Sequence, residues 1–480
     1  MANEGPIASD AAPGSAPTQL IPNWPFVAAA LLTAMSFLLF YPGIVGQDAF
    51  LQYQQGLENR FTDWHPPIMA RLWQALHLLI GGRAEPMLAL QMLLYWSGAG
   101  LFAAGLAGRG NPGRAKAVLA VAASPFFLGW QAAILKDTQM LAALSAATGL
   151  IAFWRLRGLC EPGSVWFAVV PLLLYVTLLR ANAVFVTVPL TVLLLPWPAP
   201  GRIIGGLVAT ALFLAVAPGI NHGVFGAERT GVENSVPLYA LAGILIHAGD
   251  VEGLTREEKD LIVRERCYKP FFWDPLAQMF RCGSLLDRAL KSPDRHLPAA
   301  AARAVLTHPF AYAQHRLEHL NQTMRWIVPR NLGAGWPGFD SYPNELGVGG
   351  PGPLARFPLQ FTIWMAESPF GWPILWVALA LTGLAALHRA PPGPRRGLAV
   401  AMLGSAVALE ASFVLISIAS DLRYHLWPMF ATALALLTVE RVDRRTLTIG
   451  GTVFAVLLVS AVGARAVLPL GPRTYQEAIW

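Results

Sequence analysis

The sequence predicts an all-α polytopic membrane protein, with about eleven transmembrane helices and a largely helical extracytoplasmic insertion. Three observations lead there. The 480 residues are 55% hydrophobic and only 13% charged, whereas a soluble domain carries about a quarter of its residues as charges. Long apolar runs recur along the chain. The Arg and Lys residues gather in short loops between alternate runs.

The runs fall at 24–45, 86–107, 115–134, 138–154, 164–180, 183–198, 202–220, 366–387, 397–419, 424–439 and 446–468. Each is near the ~20 residues that a helix needs to cross a bilayer, or somewhat short of it. The 16 Trp and 24 Phe residues suit aromatic belts at the two interfaces. Basic loops hold Arg109, Arg114 and Lys116, then Arg155 and Arg157, then Arg202, then Arg389, Arg395 and Arg396, then Arg441, Arg444 and Arg445. The positive-inside rule puts these loops and the amino terminus in the cytoplasm. The stretch 67–81 is apolar but short and holds Arg71 and His77. It reads as a helix along the outer surface; counted as a span, it would invert everything after it.

The chain then divides as follows. Residues 1–23 form a disordered cytoplasmic tail, rich in Pro, Ala and Ser. Residues 24–220 form an amino-terminal membrane module with an outer loop at 46–85. Residues 221–365 form an extracytoplasmic helical segment, too long for a plain connection. Residues 366–468 supply further membrane helices, and 469–480 an outer tail. The run from Phe26 to Val45 is long enough to span and stay, unlike a cleaved leader. Within 221–365, Thr255 and Glu258 spell a capping box that opens a helix at 253–266. Another helix or two is expected over 299–327, broken near Pro309, with no strand alternation.

Several motifs carry little. The net charge of +7 is spread over loops rather than gathered into a phosphate-binding face, so nucleic acid is not an expected partner. No C-x-x-C pair exists to frame a metal. Cys267 and Cys282 share the outer segment and are expected to pair there, two free thiols being the alternative; Cys160 sits elsewhere. His315, Glu318 and His319 spell H-x-x-E-H, but a run with Arg316 and Arg325 reads as a solvated or headgroup-facing helix surface rather than a zinc site. Asn321–Gln322–Thr323 is a sequon by spelling. No G-x-x-x-x-G-K loop points to ATP.

The informative polar residues all fall on the outer side. Asp48 follows the first span, with Gln52 after it, and then Asp63, Trp64, His65, Pro66 and Pro67. A carboxylate at the membrane interface marks a site; its plainer reading is a cap for a surface helix at 49–59. Lys136–Asp137 opens another run, as a site or as a snorkelling pair. Arg180 and Asn182 stand at a corner between two spans, and Asp421, Arg423, Tyr424 and His425 lie between two others. Interface anchoring is the plain reading of both. Together they set carboxylates and cations at one membrane face. Such a set lets a carboxylate take a proton from an acceptor while cations hold a leaving phosphate.

That order of pieces resembles the GT-C superfamily of multi-span glycosyltransferases, which use polyprenyl-phosphate-linked sugars. The pieces are an outer Asp after the first span, D-W-H-P-P, K-D, R-A-N and D-x-R-Y. The likeness covers the spans and short outer loops and leaves out 221–365. It implies a polyprenyl-phosphate-linked sugar as donor, a lipid, glycan or protein acceptor, and contact with membrane lipids. It makes Asp48 the catalytic carboxylate, with Asp63 the competing choice or an acceptor-orienting residue. Lys136, Arg180 and Arg423 become donor-phosphate ligands, with Asp137, Tyr424, His65 and Gln52 beside the substrate. Many members carry two adjacent acidic residues where this chain has Gln47–Asp48. No cofactor is therefore assigned and a divalent cation stays open. The rival classes are a lipid or glycolipid flippase, which places polar residues on broken helices at mid-membrane, and a non-catalytic scaffold.

Overall fold

A computed structural model describes residues 21–277, 282–291, 296–332, 335–472 and 477. The expected disorder of the amino-terminal tail falls on residues 1–20, outside that set. Twenty α-helices account for most of the described chain. They are α1 Trp24–Phe40, α2 Gln47–Glu58, α3 Ile68–Ile80, α4 Glu85–Ala107, α5 Pro112–Ala122, α6 Pro125–Gln131, α7 Lys136–Arg155, α8 Trp166–Leu179, α9 Val184–Leu194 and α10 Ala199–Gly219. Then come α11 Ser235–Ala248, α12 Arg256–Arg264, α13 Gly283–Lys291, α14 Leu297–Thr307 and α15 Pro309–Thr323. The last are α16 Arg356–Glu367, α17 Pro373–His388, α18 Pro394–Ile416, α19 Leu426–Leu436 and α20 Arg444–Val467.

Among the described residues four helical stretches are long and apolar enough to cross a membrane: Glu85–Ala107, Ala199–Val224, Pro394–Ile416 and Arg444–Val467. Shorter apolar helices include Trp24–Phe40, Ile68–Ile80 and Pro373–His388. Helix α10 buries none of its residues, leaving Ile203, Leu207 and Leu212 exposed. A helix apolar all round yet unburied is compatible with a lipid environment.

One continuous apolar core joins α4, α5, α7, α8, α9, α18 and α19. Its tightest seam is α4 against α7. A Cβ on Gly98 would sit 2.1 Å from the Ser145 carbonyl carbon, and one on Gly149 would sit 2.3 Å from the Gly98 carbonyl oxygen. Small residues thus let two backbones touch. A second core, around Leu238, Tyr239, Leu245, Ile262, Leu276 and Leu285, belongs to the 221–365 segment.

Local signals set several boundaries. The Thr255 hydroxyl accepts from the Glu258 amide at 3.3 Å, and the Glu258 carboxylate accepts from the Thr255 amide at 2.8 Å; the capping box opens α12. The expected break near Pro309 separates α14 from α15. The apolar run 115–134 is not one helix. It breaks between α5 and α6 at Ser124, which is extended (ψ 140°) before Pro125, because a residue preceding proline is pushed out of the helical region. Two short parallel strands, Phe61–Thr62 and Ala227–Glu228, also pair where no strand was expected. They stitch the loop between α2 and α3 to the segment that follows α10.

Cys267 and Cys282 form a disulfide, while Cys160 is free and exposed. In the chain-entropy view, closing a loop of this size stabilises by about 3 kcal/mol. Protein taken from its native compartment and alkylated without reductant should carry label on Cys160 alone. Label on all three cysteines would rule the bond out.

Candidate functional site

The site is assembled by three seams that bring distant segments together. After α1 the chain runs beside the segment preceding α7. The Ile44 amide donates to the Ala132 carbonyl at 2.8 Å, and the Ile134 amide donates to the Ile44 carbonyl at 2.8 Å. This seam sets Asp48 beside Lys136. A third segment closes over it, with the Tyr342 amide donating to the Val45 carbonyl at 2.8 Å and the Val45 amide to the Ser341 hydroxyl at 2.9 Å. The last seam joins the Trp273 amide to the Ile418 carbonyl at 2.9 Å, just ahead of Asp421.

At their meeting point three carboxylates interlock with three cations. Asp137, at the start of α7 and 1% exposed, takes Arg180 on one oxygen, while its other oxygen lies 3.6 Å from Arg423 Nε. Arg423 Nη2 also lies 2.8 Å from Asp421 and 3.5 Å from Asp48. The Asp48 Oδ1 faces His65 Nε2 at 3.5 Å, and Lys136 Nζ is 2.7 Å from His65 Nδ1. Lys136 has only protons to offer, so His65 Nδ1 accepts and Nε2 carries the hydrogen toward Asp48. Tyr424 underlies the guanidinium groups, with Arg180 4.0 Å and Arg423 5.5 Å from its ring centroid, a cation–π platform.

The electrostatics follow from this packing. Burial alone would raise the Asp48 carboxyl, but the contact with His65 and the charges of Arg423 and Lys136 outweigh it and hold the carboxyl well below its usual range. Burial, reinforced by Lys136, lowers His65 and keeps it neutral. The side chain of Asp48 is nevertheless 38% exposed, so a hydroxyl can reach it. Asp48, Asp137 and Asp421 balance Lys136, Arg180 and Arg423, leaving no net charge.

The residues singled out in the sequence divide in two. Asp48, His65, Lys136, Asp137, Arg180, Arg423 and Tyr424 come together. Asp48 is not the cap of its helix; α2 starts at Gln47, with Gly46 in the cap position. Gln52 lies one turn on, buried, donating to the Asp48 carbonyl at 3.1 Å. Asp63 is engaged elsewhere: it accepts from the Thr230 amide at 2.7 Å and hydroxyl at 2.6 Å, and lies 3.6 Å from His222. That arrangement ties the loop between α2 and α3 to the chain after α10. Asp421 joins the cluster as a third carboxylate; its place two residues before Arg423 was the signal for it.

The H-x-x-E-H motif holds no metal cluster: among the described residues no group of three or more His, Cys, Asp or Glu could do so. Nor is its helix a solvated face. Arg316 is 5% and Arg325 2% exposed. Arg316 donates to the carbonyls of Phe413, Val414 and Ser417 at 2.8, 2.7 and 2.9 Å, satisfying the open carbonyls at the end of α18.

The fold and site together define a helical protein with membrane-length apolar helices and a charge-balanced ionic cluster. No protein-family model matches the chain, and no curated protein is significantly similar to it.

Proposed function

We propose that the chain is an integral membrane glycosyltransferase that moves a sugar from a polyprenyl-phosphate donor to a hydroxyl acceptor on the extracytoplasmic side. One observation carries this reading. Lys136, Arg180 and Arg423 come from three separate parts of the sequence and meet in one cluster, in which Arg423 and Lys136 act on the part-exposed carboxylate of Asp48 and Arg180 is joined through Asp137. In the reaction the bond between the sugar's anomeric carbon and the donor phosphate breaks, and the phosphate leaves with the electron pair. The cations receive that charge. The acceptor oxygen bonds to the anomeric carbon, and its proton passes to Asp48.

The topology that goes with this function has about eleven spans, a cytoplasmic amino terminus, α3 along the outer surface, and residues 221–365 outside. A reporter fused after Arg256 should be active only when it folds outside the cytoplasm. Activity restricted to the cytoplasm would invert the arrangement.

Purified protein incubated with a panel of polyprenyl-linked sugars should transfer one of them. Arg180→Ala should lower kcat/KM for the donor by about 10- to 100-fold, the worth of a charge-assisted hydrogen bond to phosphate. Transfer from no donor in the panel, or an Arg180→Ala protein with unchanged kcat/KM, would count against the assignment.

A further inference from the structure

We propose that Glu410, His425 and Thr323 are positioning residues that hold Arg423 and Tyr424 where the donor phosphate must bind. The inference rests on the glycosyltransferase reading and extends it to three residues outside the ionic cluster.

Arg423 and Tyr424 sit on a single short turn, Leu422–His425, between α18 and α19. Its last residue is wholly buried. His425 Nδ1 meets both oxygens of Glu410, at 2.9 and 2.8 Å, and His425 Nε2 meets the Thr323 hydroxyl at 3.3 Å. Glu410 is 4% exposed and Thr323 is fully buried. A carboxylate at this depth in an apolar helix is expensive to keep without function. Here it accepts the Nδ1 hydrogen of His425, whose Nε2 meets the Thr323 hydroxyl. The chain carboxylate–imidazole–hydroxyl therefore fixes the angle of the ring that ends the turn. None of the three touches the cluster itself, so they act through the backbone of residues 422–425.

The far end of this chain is anchored just as firmly. Thr323 lies on α15, on the face it shares with Arg316 and His319, since residues three and four apart stack on a helix. Arg316 caps α18 as described above. His319 Nε2 meets the Ser417 hydroxyl at 3.0 Å and its Nδ1 meets the Pro270 carbonyl at 2.7 Å. The H-x-x-E-H segment thereby acquires a role that is not metal binding: it braces the donor-binding turn from the 221–365 segment. Arg423 contacts three carboxylates at once, so a small rotation of its turn would re-partition those contacts and displace the guanidinium from the phosphate.

The test uses two substitutions at one position in the full-length protein. Thr323→Val keeps the shape and removes the hydroxyl; Thr323→Ser keeps the hydroxyl. Binding of polyprenyl monophosphate and the donor KM are measured, with the acceptor KM and the thermal midpoint as controls. Thr323→Val should weaken both donor readouts by about 2- to 10-fold, the range of one hydrogen bond, with acceptor KM unchanged and a modestly lowered thermal midpoint that still leaves the protein folded at the assay temperature. Thr323→Ser should match the wild type. Glu410→Gln, which still accepts one hydrogen bond but lacks the charge, should weaken them at least as much. Wild-type affinity in Thr323→Val, or equal weakening in both Thr323 variants, overturns the positioning role and leaves the glycosyltransferase reading standing. Failure of the wild type to bind polyprenyl monophosphate overturns both.

Discussion

Asp48→Asn should slow sugar transfer by about 10²–10⁴-fold, the usual cost of losing a general base, and should at the same time bind polyprenyl monophosphate more tightly than the wild type. The two effects have one origin. In the free protein Asp48 lies 3.5 Å from Arg423 and 3.5 Å from His65, which in turn meets Lys136. The carboxylate therefore competes with a phosphate for the same cations. With those cations against it, the carboxyl is held well below its usual range and is a feeble base. In the proposed reaction a donor phosphate occupying Arg423 and Lys136 would neutralise them, letting the carboxyl rise from that depressed value, so that it could take a proton. Asparagine removes the competitor along with the base. A variant that transfers at the normal rate would end the catalytic assignment. A variant that is slow but also binds the phosphate more weakly would show that Asp48 organises the cations rather than competing for them.

Asp137→Asn should cost about 3–5 kcal/mol of stability, the range for removing one partner of a buried ion pair. Its carboxylate is 1% exposed and serves Arg180 and Arg423 together. The amide keeps the volume but leaves two partly buried guanidinium groups leaning on Asp421, Asp48 and the face of Tyr424. Those remaining contacts place the expected loss toward the lower end of the range. Thermal unfolding of detergent-solubilised protein measures it. An unchanged midpoint would mean that Asp137 holds neither arginine in solution.

How far the sequence led depends on the range of the interaction. Features set by neighbours in the chain were readable: the Thr255–Glu258 box, the break at Pro309, the helical character of the apolar runs. Ser124–Pro125 was equally readable as a break, but the surrounding apolar run masked it. Features that depend on distant partners were not. Asp63 stood out as a constrained carboxylate, yet nothing near it in the chain shows that Thr230 and His222 claim it. Arg316 looked like a surface charge because its acceptors are backbone carbonyls far along the sequence, which leave no trace in composition. Glu410 did carry a signal, a lone acid within the run 397–419, and the rule that buried charges seek partners would have pointed to it. The cluster residues were legible as a list because each marks the end of an apolar run. Their mutual distances were not, since these come from the Ile44–Ala133 and Trp273–Ile418 seams.

The cluster's ledger of charge also bears on how the protein can be built into a bilayer one helix at a time. The segments through α10 bring Asp48 and Asp137 together with Lys136 and Arg180, two negative groups and two positive. Asp421 and Arg423 arrive much later, on one turn and already paired at 2.8 Å. Each instalment is neutral by itself. Asp48 alone is made ahead of its partners; once Arg180 has followed, no charge of the cluster need wait for a residue not yet synthesised, a condition that is costly at a membrane face.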